Sequence, residues 1–109
     1  MAAGRAMFLI RLQPGQEEEF QRRWEEAFDD LLNQPGFRGR ELIRVDDGTG
    51  TFVVLSEWES VDDYMAWRNS LTRSHVYGGD LQPLFSAPPI TGVGEVVLRM
   101  EREGLPAKL

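Results

Sequence analysis

Residues Gln34 to Tyr64 read QPGFRGRELIRVDDGTGTFVVLSEWESVDDY, and this stretch decides the fold. Pro35 cannot continue a helical ladder and Gly36 accepts left-handed geometry, so a helix arriving from the N-terminal side stops there. Phe37 to Val45 then alternates, with Phe37, Gly39, Glu41, Ile43 and Val45 on one face of a strand. Arg38, Arg40, Leu42 and Arg44 fall on the other face, and the strand arginines are expected to meet solvent or a second subunit. Asp46-Asp47-Gly48-Thr49-Gly50 is a turn, and Thr51 to Trp58 is a β-branched and aromatic strand, so the two strands form a hairpin. Ser60 followed by Asp63 has the form of a capping box with Asp in place of Glu. It opens a second helix with Val61, Tyr64, Met65, Arg68 and Leu71 on one stripe and Trp67 at the edge of that stripe.

Working outward, Ala6 to Leu12 reads as a strand, apolar on both faces, that ends at the Pro14-Gly15 turn. From Gln16 to about Asn33 the residues Phe20, Trp24, Phe28, Leu31 and Leu32 mark an amphipathic helix. Its first turn holds Glu17, Glu18 and Glu19, where the helix dipole favours anions. Beyond Leu71 the pattern loosens through His75, Tyr77 and Gly78-Gly79 into the proline-rich run from Gln82 to Ile90, expected as a loop closing one end of the domain. Gly92 to Met100 reads as the last strand. The order β-α-β-β-α-β predicts an α+β, ferredoxin-like fold, an antiparallel sheet with two helices on one face. The uncovered sheet face then calls for a homodimer.

The 109 residues suit a single domain, with its core over about 5–102. A net charge of −6 with no basic stripe argues against nucleic acid and anionic membrane partners. No apolar run approaches a bilayer span and the N-terminus carries no signal-like apolar stretch, so a cytoplasmic location is expected. The chain lacks cysteine and has one histidine, His75, which argues against disulfides and an all-protein zinc cage. Phosphate-loop, dinucleotide-fingerprint and nucleophile-elbow motifs are absent from it as well.

Two segments carry a further signal: Gln34-Pro35-Gly36-Phe37-Arg38-Gly39, and Ser56-Glu57-Trp58-Glu59-Ser60-Val61-Asp62-Asp63-Tyr64 running into Ala66-Trp67. With the Pro-Gly after strand one and the acidic first helix, they resemble the antibiotic biosynthesis monooxygenase (ABM) domains of the dimeric α/β-barrel superfamily. Pro35-Gly36 and Trp58-Glu59 also have a local reading, as a helix stop and a strand end before a cap. The resemblance implies a homodimer acting on a small aromatic substrate. It leaves three activities open, because the family includes cofactor-independent quinone-forming oxygenases, haem-degrading enzymes and members of no known activity.

By resemblance, Trp67 matches a tryptophan that several relatives direct at the pocket, although a core aromatic would occupy the same helix edge. Tyr64 and Leu71 share its side, and Phe8 on the first strand and Tyr77 complete the expected substrate wall. His75 brings the one side-chain type whose unperturbed range lies near neutral pH, which suits a general base. In haem-degrading relatives a histidine at about this distance from the tryptophan ligates iron, and His75 would take that role. Those relatives also carry an asparagine on strand one, where this sequence has Met7, Phe8, Leu9 and Ile10. Asn69 is the further catalytic candidate, to orient an oxyanion. The expected activity is therefore a cofactor-free oxidation of a phenolic, anthrone-like or quinol aromatic by molecular oxygen. Haem chemistry through His75 and non-catalytic binding of a polyketide-like ligand are the alternatives.

Overall fold

The computed structural model describes residues 2–27, 29–70, 79 and 81–102, with the side chains of residues 27, 29 and 30 left aside. Strand β1 (Gly4–Arg11) is followed by helix α1 (Glu17–Ala27), a 3₁₀ segment (Asp29–Asn33), β2 (Phe37–Arg44), β3 (Thr51–Trp58), helix α2 (Val61–Arg68), a 3₁₀ turn (Gln82–Leu84) and β4 (Ile90–Glu95). The sheet runs β2-β3-β1-β4 with every neighbouring pair antiparallel, which is the ferredoxin-like arrangement. Among the described residues no helix is long and apolar enough to cross a membrane.

One sheet face carries the core. Ala6, Phe8, Ile10 and Leu12 from the β1 side, and Phe52, Val54 and Trp58 from β3, are buried beneath Phe20, Trp24, Tyr64 and Trp67 of the two helices. The opposite face holds Met7, Leu9, Ile43, Val53, Leu55 and Ile90, none of which is buried. Met7 is 53% and Ile90 64% exposed.

Three sequence expectations shift. The predicted helix from Gln16 to Asn33 is shorter, since the chain tightens into the 3₁₀ segment from Asp29. That change of period keeps Leu31 inside but turns Leu32 outward. The last strand lies at Ile90–Glu95, earlier than Gly92 to Met100. Glu95 pairs with Gly4, the first residue of β1, so the chain beyond it has no strand opposite. After a bond from the Val96 amide to the Ala3 carbonyl (2.9 Å), Val97, Leu98 and Met100 lie exposed. The run after residue 80 does close one end, through buried Leu81, Leu84 and Phe85, a Leu12 to Phe85 bridge and a bond from the Gln13 amide to the Leu84 carbonyl (2.9 Å).

The third shift is in β2. A bulge between Phe37 and Gly39 sets Phe37 opposite Trp58 and Gly39 opposite Glu57, with Arg38 the extra residue. Phase is reset there, so Phe37 shares its face with Arg40, Leu42 and Arg44, and that face looks at the helices. Arg40 therefore turns to the helix side of the sheet and is partly buried, where its place in the alternation suggests a solvent-facing residue. Its guanidinium carbon stands 3.8 Å over the Trp24 ring, and Arg44 lies over Phe52 while pairing with Glu17.

Candidate functional site

The site lies where β3 ends and α2 begins. Ser60 caps α2, its Oγ accepting from the Asp63 amide (3.1 Å) and donating to Asp63 Oδ2 (2.9 Å). Gly36, at φ +81°, donates no side chain to the junction and its carbonyl accepts from the Glu59 amide (2.7 Å). A Cβ there would stand 2.3 Å from the Asp63 carboxylate, so the start of β2 and the cap of α2 can approach only through glycine. At Gly4 a Cβ would meet the Ser60 and Val61 backbone at 2.7–2.9 Å, which seats α2 directly on β1.

That seating directs Tyr64 and Trp67 inward. The buried stripe of α2 runs through these two residues, with Trp67 7% exposed, so Trp67 belongs to its centre rather than its edge. Trp58 is fully buried below them. Its ring is 5.7 Å from Tyr64 at 71° and 5.8 Å from Trp67 at 31°, while Phe37 meets it edge-on at 5.3 Å. These separations lie within the range where aromatic pairs attract.

Beneath the cluster is a narrow cavity of about 20 Å³, room for about one water molecule. Ala6, Phe8, Leu31 and Val54 form its apolar walls, Trp58, Tyr64 and Trp67 its aromatic roof, and Ser56 and Arg40 add polar groups. Ser56 accepts the Trp58 indole N–H at 2.9 Å, and both residues are buried. Arg40 and Ser56 are direct cross-strand partners on the same face.

Of the residues expected from sequence, Trp67, Tyr64 and Phe8 meet at this cavity. Asn69 is the C-cap of α2, exposed and outside the cavity walls, because two residues beyond Trp67 is the opposite side of a helix. Leu71, His75 and Tyr77 lie outside the described residues. Arg40 and Ser56 were not among the expected site residues. The signal for Arg40 was Gly39, a glycine inside a strand that marks a bulge and hence a change of phase. For Ser56 it was a lone hydroxyl at an inward position between Val54 and Trp58.

The profile of the antibiotic biosynthesis monooxygenase family matches residues 4–76. Over 60 residues the chain is 32% identical to the mycobilin-producing heme oxygenase of Mycobacterium tuberculosis, a match covering 55% of this chain and 57% of the relative. The chain thus spans little more than half the length of that curated relative. Solved structures share the fold, and two of them show how far the likeness extends. SnoaB, a cofactor-independent oxygenase from Streptomyces nogalater, has a TM-score of 0.79 at 16% identity, over 94% of this chain and all of SnoaB. A conserved protein from Methanosarcina mazei has a TM-score of 0.77 at 14% identity, over 87% of this chain and 93% of that one. The profile match extends from β1 through the hairpin and α2, and the protein belongs to the antibiotic biosynthesis monooxygenase family.

Proposed function

We propose that this protein is a cofactor-independent oxygenase that oxidises a small phenolic, anthrone-like or quinol aromatic with molecular oxygen. The observation that carries the reading is the buried Trp58, Tyr64 and Trp67 cluster over an otherwise apolar cavity that holds two polar groups, Ser56 and Arg40. An electron-rich phenolate or anthrone anion reduces oxygen directly. One electron passes to oxygen, the radical pair combines to a hydroperoxide, and loss of water converts the oxygenated carbon, the CH₂ of an anthrone or a ring C–H of a phenol, to a carbonyl. The protein's task is to bind the ring, stabilise the anion and keep bulk water out. Tyr64 and Trp67 face the rings, Phe8 and Val54 form the floor, and His75 is the proposed base that takes the first proton.

A two- or three-ring ligand requires the walls to part, since small-molecule sites span roughly 300–1,000 Å³. Rotation of Trp67 out of its stack on Trp58 would open the roof without separating α2 from the sheet. A haem reading is favoured by the identity to the heme oxygenase. A macrocycle would need the same walls to part further than a two- or three-ring ligand does, since Phe8 reaches the cavity from β1 and Trp67 lies 5.8 Å ring to ring from Trp58. Hemin titration separates the two. The oxygenase reading predicts no saturable Soret shift, whereas a stoichiometric shift lost in His75→Ala would put haem chemistry first. Incubation with an anthrone under labelled oxygen tests the reaction itself, the label being expected in the quinone carbonyl.

The open sheet face supports a homodimer as the working unit. Met7 with Leu55 and Leu9 with Val53 are cross-strand pairs on this face, and with Ile43 and Ile90 they form a contiguous apolar surface. Such a surface is stable in water when a second sheet covers it.

A further inference from the structure

Two hollows lie end to end between the helices and the sheet. The inner one is the cavity of about 20 Å³, with Arg40, Val54 and Ser56 on its β2-β3 side. The outer one is a groove of about 260 Å³, with Leu42, Arg44 and Phe52 as its sheet wall and Gln21, Trp24 and Glu25 of α1 facing them. Cross-strand pairing fixes their order: Arg40 stands opposite Ser56, Leu42 opposite Val54 and Arg44 opposite Phe52, all on the helix face of the sheet. From Arg40 to Arg44 the strand advances roughly 13 Å. Gln21, Trp24 and Glu25 follow at helical spacing and so share one stripe of α1, with Gln21 and Glu25 exposed at the mouth.

A stack of two side chains separates the hollows. Trp24 belongs to the groove wall and Arg40 to the cavity wall, and the Arg40 guanidinium carbon lies 3.8 Å over the Trp24 ring. Trp24 is 7% exposed, and among the described residues its buried indole nitrogen has no hydrogen-bond partner. Trp58, by contrast, donates its indole N–H to Ser56. A buried donor without an acceptor disfavours the position that buries it. Packing and the stack on Arg40 therefore hold Trp24 in place without help from its N–H. Swinging the ring outward would return that N–H to water or to an acceptor on a ligand. It would also join two hollows that are each too small alone: small-molecule sites span roughly 300–1,000 Å³, whereas the groove stops short of that range and the cavity holds about one water molecule.

We propose that the groove is the outer half of the substrate site, that Trp24 is the partition a ligand displaces, and that the protein thereby selects elongated aromatics of three fused rings over two-ring ones. The proposal rests on the reading of the inner cavity as the substrate site, and it makes Trp24 and Leu42 specificity-determining residues. One end of the ligand lies under Tyr64 and Trp67, and the other lies over Leu42 and Phe52. Turning Trp67 deepens the site beneath α2, whereas turning Trp24 lengthens it along β2.

The test is fluorescence titration of the full chain with 2-naphthalenemethanol and 2-anthracenemethanol, neutral alcohols that differ by one ring along the long axis. Leu42 lines the groove and not the cavity, so Leu42→Trp fills the groove alone. It should weaken the three-ring alcohol by about tenfold or more and leave the two-ring alcohol within about twofold. Trp24→Ala removes the partition, so the three-ring alcohol should bind about fivefold tighter, and adding Leu42→Trp should cancel the gain. Should Leu42→Trp fail to fold, Gln21→Trp fills the groove from an exposed helix position. Should Trp24→Ala fail, Trp24→Leu shortens the partition and keeps an apolar contact. Equal effects of the groove-filling variant on both alcohols, or no effect on either, overturn the proposal. A Trp24 variant that gains nothing, or a gain that survives Leu42→Trp, overturns it too. If Trp67→Ala still weakens the two-ring alcohol in those cases, the cavity reading stands without the groove. Binding of neither alcohol by wild-type protein overturns both.

Discussion

Replacing Ser56 by Ala removes the oxygen that accepts the Trp58 indole N–H at 2.9 Å. Trp58 has no exposed surface and Ser56 is only 9% exposed, so the orphaned N–H is not rehydrated without opening the core. Leaving a buried donor unsatisfied costs about 1–3 kcal/mol. For a chain of 109 residues the unfolding entropy is about 0.23 kcal/mol per kelvin near 60 °C. The melting midpoint in Ser56→Ala should therefore fall by about 4–13 °C in scanning calorimetry. A cycle with Trp58→Phe isolates the bond from the packing, because the double variant loses both partners together. The expected coupling is about 1 kcal/mol. A fall under about 2 °C, or no coupling in the cycle, would refute the claim that this bond satisfies the buried Trp58 indole and holds its ring in place beside the cavity.

Gly4→Ala should lower the urea midpoint by an amount equivalent to about 1–3 kcal/mol, since its Cβ would press on the Ser60 and Val61 backbone and lift α2 from the sheet. Ser60→Ala should cost about 1 kcal/mol through loss of the α2 cap, measured in the same way. Met7→Arg with Ile90→Arg should give a monomer in sedimentation velocity with an unchanged circular dichroism spectrum, as both side chains are more than half exposed in one chain. The hydroxyl and amide of Thr49 hydrogen-bond Asp47 and hold its carboxylate below the usual range. The stabilisation of this turn is then present above the ordinary carboxylate value and is lost as pH falls through the lowered one. Asp47→Asn should flatten that part of the acid limb of a stability-against-pH curve.

The hairpin from Phe37 to Trp58 is legible in the sequence because alternation, β-branched composition and a glycine-rich turn agree over one short stretch. The ferredoxin-like order follows once a capped helix is seen to start right after it. The β2 face assignment is harder to read, since strict alternation from Phe37 cannot register a bulge, and one extra residue moves every arginine beyond it to the other side. That single residue separates an arginine expected in solvent from one on the cavity wall. The end of β4 is equally opaque, as it depends on where β1 begins rather than on the apolar run from Val96 to Met100. Trp67 and Tyr64 are visible as an aromatic pair at helical spacing, but whether they face inward is decided by Gly4 and Gly36, far away in sequence.

Oxygen consumption by chelator-treated, haem-free protein with an anthrone or hydroquinone tests the proposed chemistry most directly. Protein-dependent uptake, one oxygen consumed per quinone formed, insensitive to chelator and strongly reduced in Trp67→Ala, is the result expected of a cofactor-independent oxygenase. Uptake that appears only after hemin is added, or ligand binding with no uptake for any phenolic substrate, would contradict it.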